Sequence, residues 1–193
     1  GMLLKVTRFL SFCLQRMSLR HPQRITVRSD LVDTTLSYVK RLDQSRDFSD
    51  IFALVKKAVK ETLAEARVGL MLVLADLPPQ VGAFHEVGSN AIVLNRKLLN
   101  AVVKSGKSFR EINSYIFTIL LHEYLHSLGH LDEREVRELS FQITRRNLGE
   151  NHPATEFAVK GLADRKISQF LEGDKPDLPQ IIPDIERTAQ SYI

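Results

Sequence analysis

The chain has 193 residues, 44% of them hydrophobic and 26% charged, and a formal net charge of +4. That length and balance suit one globular domain with a real core and exclude wholesale disorder. No apolar run approaches the roughly 20 residues that a membrane span requires. The lone Cys13 cannot form an intramolecular disulfide, which fits a reducing, cytoplasmic setting.

Gly1 ahead of Met2 is set aside as a residue left by tag removal. Residues 2–29 carry Lys5, Arg8, Arg16, Arg20, Arg24 and Arg28 and no acidic residue. Such a basic arm can meet nucleic acid or anionic lipid. No aromatic-interleaved basic motif accompanies it, so the expectation is a solvated face, and nucleic acid is not the expected partner. Arg8 interrupts the apolar stretch that a secretory signal would need.

Asp30 is placed to cap a helix over 30–46 with Leu31, Leu36, Val39 and Leu42 on one stripe, and Ser49 to cap a second with Phe52, Val55, Val59 and Leu63. Gly69 opens the apolar run Leu70–Leu74, which Pro78 and Pro79 end, as a short buried strand. Residues 80–87 and 91–95 flank Gly88-Ser89-Asn90 and predict a hairpin. A short helix follows over 95–103. Ser108 and Glu111 form a capping box for a longer helix that carries Ile112, Ile116, Ile119 and Leu120 and stops at Gly129. Asp132 and Glu135 suggest another capping box, for a helix with Val136, Leu139 and Ile143. Asn151-His152-Pro153 opens a last helix containing Phe157, Leu162 and Ile167. From Asp174 the prolines 176, 179 and 183 predict an extended tail. The expected organisation is a single α+β domain over 1–193: a basic arm over 1–29, a body over 30–171 and a tail over 172–193.

The long helix ends in His122-Glu123-Tyr124-Leu125-His126. Histidines four apart lie one turn above each other on the same helix face, so both imidazoles can reach one ion. Zinc accepts neutral imidazole nitrogen and, with three protein ligands, leaves a position for water. Glu123 follows the first ligand and is placed to act as general base on that water. A buried histidine or carboxylate amid Ile119, Leu120, Leu121 and Leu125 would be costly without a partner, and a metal relieves that cost. Tyr124 is expected in the core. His130, beyond Gly129, is expected near the site and not as a ligand. His85 and His152 are weighed as oxyanion stabilisers against packing roles, and packing is favoured, as is an inert buried thiol for Cys13.

The stretch His122-Glu-x-x-His126-x-x-Gly129 resembles the zincin metallopeptidases, most closely the small minigluzincins and next the metzincins. The resemblance implies a zincin-like α+β fold, with a small, mostly antiparallel sheet above a zinc-bearing helix. It also implies a sheet edge that binds an extended peptide or protein substrate. Ile92, Val93 and Leu94, in the strand before the motif helix, are the candidate edge. Asp132 has the metzincin spacing for a third ligand, where that family carries His, but no methionine follows Met71 to make the metzincin Met-turn. Gluzincins take a Glu from the next helix, which here means Glu133, Glu135 or Glu138. Asp132 is ranked first, then Glu133 and Glu135. The expected function is a zinc peptidase. Its alternatives are a non-catalytic zinc-binding module and a zinc endoribonuclease, since bacterial ribosomal-RNA-maturing endoribonucleases have a three-His motif of the same spacing.

Overall fold

The computed structural model describes residues 22–161, 171 and 177–186, with side chains from residue 32 onward. The expected basic arm lies outside the described residues up to position 21. The chain divides into two units, residues 1–37 and 38–193. Helix α1 (Pro22–Gln44) begins earlier than expected, so Asp30 falls inside it and is not its cap. Its stretch from Tyr38 belongs to the second unit, where Tyr38 and Leu42 are buried.

In that unit α2 (Phe48–Leu63) is capped by Asp47, whose side chain accepts from the Asp50 amide. Ser49, the expected cap, is buried instead and donates its hydroxyl hydrogen to the carbonyls of Asp184 and Ile185. The strands are β1 (Met71–Ala75), β2 (Ala83–His85), β3 (Ala91–Asn95) and β4 (Gln180–Ile182). The helices after β3 are α3 (Arg96–Lys104), α4 (Phe109–Leu128), α5 (Glu133–Leu148) and α6 (Pro153–Lys160). Leu162 and Ile167, expected in the last helix, lie outside the described residues.

The sheet order is β2-β3-β1-β4. β1 and β3 run parallel, whereas β2 pairs antiparallel with β3 and β4 antiparallel with β1. The architecture is thus α+β with a small mixed sheet whose central pair is parallel. This corrects the expected edge: Ile92, Val93 and Leu94 sit in an interior strand, flanked by Leu72–Leu74 on one side and Ala83–His85 on the other. Ile92 and Leu94 are buried, and the strand's backbone groups are committed to both neighbours. Among the described residues the edges are β2 and β4.

Helix α4 lies at the centre, packed against α2, α5, α6, β2 and β3. Tyr115, Phe117, Leu120, Leu121, Tyr124 and Leu125 are buried on several sides of it, as a helix surrounded by other elements requires. The Ser108–Glu111 capping box starts it and Gly129, with a left-handed φ of 105°, ends it, both as expected. Tyr124 packs edge-on against Phe52 with ring centroids 5.5 Å apart. Its hydroxyl accepts from the Arg67 amide at 2.8 Å. The Arg67 guanidinium donates to the carbonyls of Ser127 and Ser89, tying the end of α4 to the β2–β3 turn. This clamp sets how the motif helix lies under the sheet. No helix of the described residues is long and apolar enough to cross a membrane.

Candidate metal centre

His122 and His126 sit in the last two turns of α4, and their Nε2 atoms stand 3.2 Å apart. The chain reverses at Gly129, and α5 begins with Glu133 under the histidine pair. The Glu133 Oε1 is 3.1 Å from His126 Nε2 and Oε2 is 3.4 Å from His122 Nε2. Among the described residues these three form a group whose ligand atoms all lie within 4.8 Å of one another.

The arrangement corrects the ranking of the third ligand. Asp132 is the N-cap of α5, its Oδ1 accepting from the Glu135 amide at 2.8 Å. A carboxylate engaged at its own helix start is not free to turn toward α4. Glu135 points to His130, whose Nδ1 it meets at 3.0 Å. Glu133, one residue into the helix, is the carboxylate the chain reversal delivers.

The donor set suits a metal ion. His126 Nδ1–H donates to the His130 carbonyl at 2.8 Å, which holds the ring in the tautomer whose Nε2 lone pair faces His122 and Glu133. Burial holds the His122 imidazole below its usual range, against the opposing charge of Glu133. His122 is thus poised as a neutral ligand, and His126 presents its Nε2 to the same point. Two imidazoles and one carboxylate make a three-donor set, of which His122 and Glu133 line a cavity; three protein donors are the number that leaves zinc a position for a further ligand. His130 is not part of the group. Burial pushes its pKa down, but hydrogen bonds to Glu135 and Glu65 outweigh that and raise it.

Glu123 is 5% exposed. Burial, with the charge of Glu133, lifts its carboxyl to about 8, although a hydrogen bond from the His85 backbone amide works in the other direction. His85 itself turns its ring to the Ala91 carbonyl, 2.9 Å away. His152 is remote in role: it caps α6, Nδ1 accepting from the Ala154 amide. Neither histidine ring lines the cavity beside the metal group.

That cavity, ≈ 480 Å³, runs between β2, α4, α5 and the end of α6. His122, Glu123 and Glu133 form one part of its lining, and Gly82 and Ala83 of the β2 edge another. A Cβ on Gly82 would come 3.2 Å from Ile119 Cδ1, so glycine permits the close approach of that edge to the motif helix. Arg137 and Ser140 also line the cavity; they were not singled out in the sequence. Their spacing from Glu133, four and seven residues on, puts all three on one face of α5, a signal visible only once Glu133 is known to face the histidines. Comparison with protein-family models, curated proteins and solved structures found no match to this chain.

Proposed function

We propose that this protein is a zinc-dependent peptidase in which Glu123 is the general base. The observation that carries the reading is the buried carboxyl of Glu123 on the rim shared by the three-donor group and the cavity. Zinc, held by His122, His126 and Glu133, would supply Lewis-acid polarisation of a carbonyl and a lowered pKa for a water molecule. Glu123 takes the proton of the attacking water and passes it to the leaving amine. A buried carboxyl beside the histidine pair is placed for that double duty, as base toward the water and as acid toward the amine. The His85 amide orients this carboxylate. The outer edge of β2, with Gly82 and Ala83 at the cavity, offers main-chain groups to an extended peptide. The peptide or protein substrate would lie along that edge and not along β3.

The test is metal analysis of the purified chain followed by digestion of casein and a peptide library. The wild type is expected to carry about one zinc per chain and to cleave peptide bonds. Glu123→Gln is expected to keep the zinc and to lose about a hundredfold or more of the rate. A wild type that binds zinc but cleaves nothing would leave a metal-binding module and defeat the peptidase reading. So would a Glu123→Gln variant as active as the wild type.

A further inference from the structure

The cavity is chemically lopsided. Its two acidic groups, Glu123 and Glu133, stand at the metal group, while Arg137, Ser140 and Lys160 bring cationic and hydroxyl groups elsewhere along its wall, between apolar surfaces of Ile119 and Phe157. Lys160 is spoken for by Glu156, 2.6 Å away, and Thr118 by the carbonyls of Ser114 and Ala154. Arg137 makes no hydrogen bond or ion pair with any described residue, although Glu133 is one turn away on its own helix. Glu133 instead spans the two histidines. Ser140 is 3% exposed, and its Oγ has no hydrogen-bond partner among the described residues. A helical serine commonly satisfies its hydroxyl on the carbonyl four residues back; Ser140 does not. A buried hydroxyl left so opposes folding until a partner meets it. It sits three residues from a free guanidinium on the same face of a helix, in a cavity wall.

We propose that Arg137 and Ser140 form a carboxylate-binding subsite that selects acidic groups on the substrate. The inference rests on the peptidase reading for its biological meaning and on the two side chains for its chemistry. Guanidinium recognises a carboxylate through paired N–H donors, and the Ser140 hydroxyl can donate to the same anion. Apolar walls accept the methylene stem of an acidic side chain. At 1.5 Å rise per residue, Arg137 and Ser140 lie about 6 and 10 Å along α5 from Glu133. An extended peptide advances about 3.3 Å per residue, so the selected carboxylate falls within about two or three residues of the scissile bond. It is either an Asp or Glu side chain or the substrate's own C-terminal carboxylate.

The experiment has two arms. In the first, the wild type digests one peptide library made twice, with free and with amidated C-termini, and the cuts are mapped by mass spectrometry. Cuts clustered within three residues of Asp or Glu in both libraries identify the side chain. Cuts near the end of the free-acid library alone identify the terminus. Arg137→Gln is expected to lower kcat/KM for these peptides at least tenfold, mainly through KM, with zinc content unchanged and with partial recovery in Arg137→Lys. In the second arm, which needs neither metal nor turnover, glutarate is titrated into the full chain and followed by amide NMR. Saturable shifts at Arg137 and Ser140, lost in Arg137→Gln, are expected. Glutarate binding of that kind without any peptide cleavage would sink the peptidase reading and keep the subsite. Cuts indifferent to carboxylates, or glutarate shifts that never saturate or survive Arg137→Gln, would overturn the subsite itself.

Discussion

Asp132 and Glu133 are neighbours whose carboxylates have different work, and mutation separates them. Asp132→Ala removes a helix cap, which costs typically about 1 kcal/mol of stability and should leave metal binding nearly intact. Glu133→Ala removes the oxygen donors that stand 3.1 and 3.4 Å from the two histidines. Loss of an outer-shell partner already lowers metal affinity about 10–100-fold, so loss of a direct donor should exceed that. Thermal melts measure the first quantity and chelator competition the second. Equal zinc affinity in wild type and Glu133→Ala, with a large loss in Asp132→Ala, would return the ligand role to Asp132. The histidine pair could be recognised from the sequence because both members hang from one helix, where spacing alone determines facing. The third donor could not. Asp132 and Glu133 differ by one residue across a chain reversal, and which carboxylate arrives under α4 depends on which one the start of α5 takes as its cap.

At the scale of an element, α6 is set up by a histidine where a shorter cap residue is usual. His152 is 4% exposed and must stay neutral for Nδ1 to accept the Ala154 amide. Burial, together with the nearby Arg110 charge and against that of Asp43, lowers its pKa to about 4 from an ordinary 6.5. The unfolded chain therefore binds more protons between pH 4 and 6.5. His152 contributes stability that is fully present above pH 6.5 and lost as the pH falls toward 4, at most about 3 kcal/mol. His152→Asn keeps a capping side chain and removes the titration. Urea unfolding at pH 7 and pH 4.5 should show a smaller acid loss in the variant, and identical losses would show that His152 carries none of it. Helix starts and stops were the best-read features of the sequence, because caps act within one turn. Ser108 with Glu111 and Gly129 serve as their positions suggest, whereas Asp132 caps its helix without the expected return bond from Glu135, whose carboxylate goes to His130. Ser49 misled because the same hydroxyl can serve a distant carbonyl, and Asp47 was available to cap.

At the scale of the whole molecule, the second unit depends on a segment that has almost no signature of its own. β4 is three residues between Pro179 and Pro183, too short for alternation to show, and its partner β1 lies more than a hundred residues earlier. Strand order is a non-local property, which is also why β3 read as an edge. The hairpin of β2 with β3 was legible from the turn at Gly88-Ser89-Asn90, whereas the parallel pairing of β1 on the other side of β3 had no local signal.

Polar anchors fix that segment to the body. Arg96 donates to the carbonyls of Asp177 and Leu178, and Asp76, lying against Arg96, accepts the Asp177 amide. Glu186 accepts from Lys56 and from the Gly69 amide, while Ser49 holds the carbonyls of Asp184 and Ile185. Ile185 is buried in the core, which is worth about 2 kcal/mol, and β4 covers the β1 edge. A chain ended at Leu171 should therefore lose at least about 2 kcal/mol of stability. It should also associate through the bare edge of β1. Thermal melts and concentration-dependent light scattering test both consequences. The truncated chain should still bind zinc, because His122, His126 and Glu133 are held by α4, α5 and the turn at Gly129. A truncated chain as stable and monodisperse as the full one would show that β4 is ornamental. One that is folded but binds no metal would show that the segment supports the site through contacts other than these anchors.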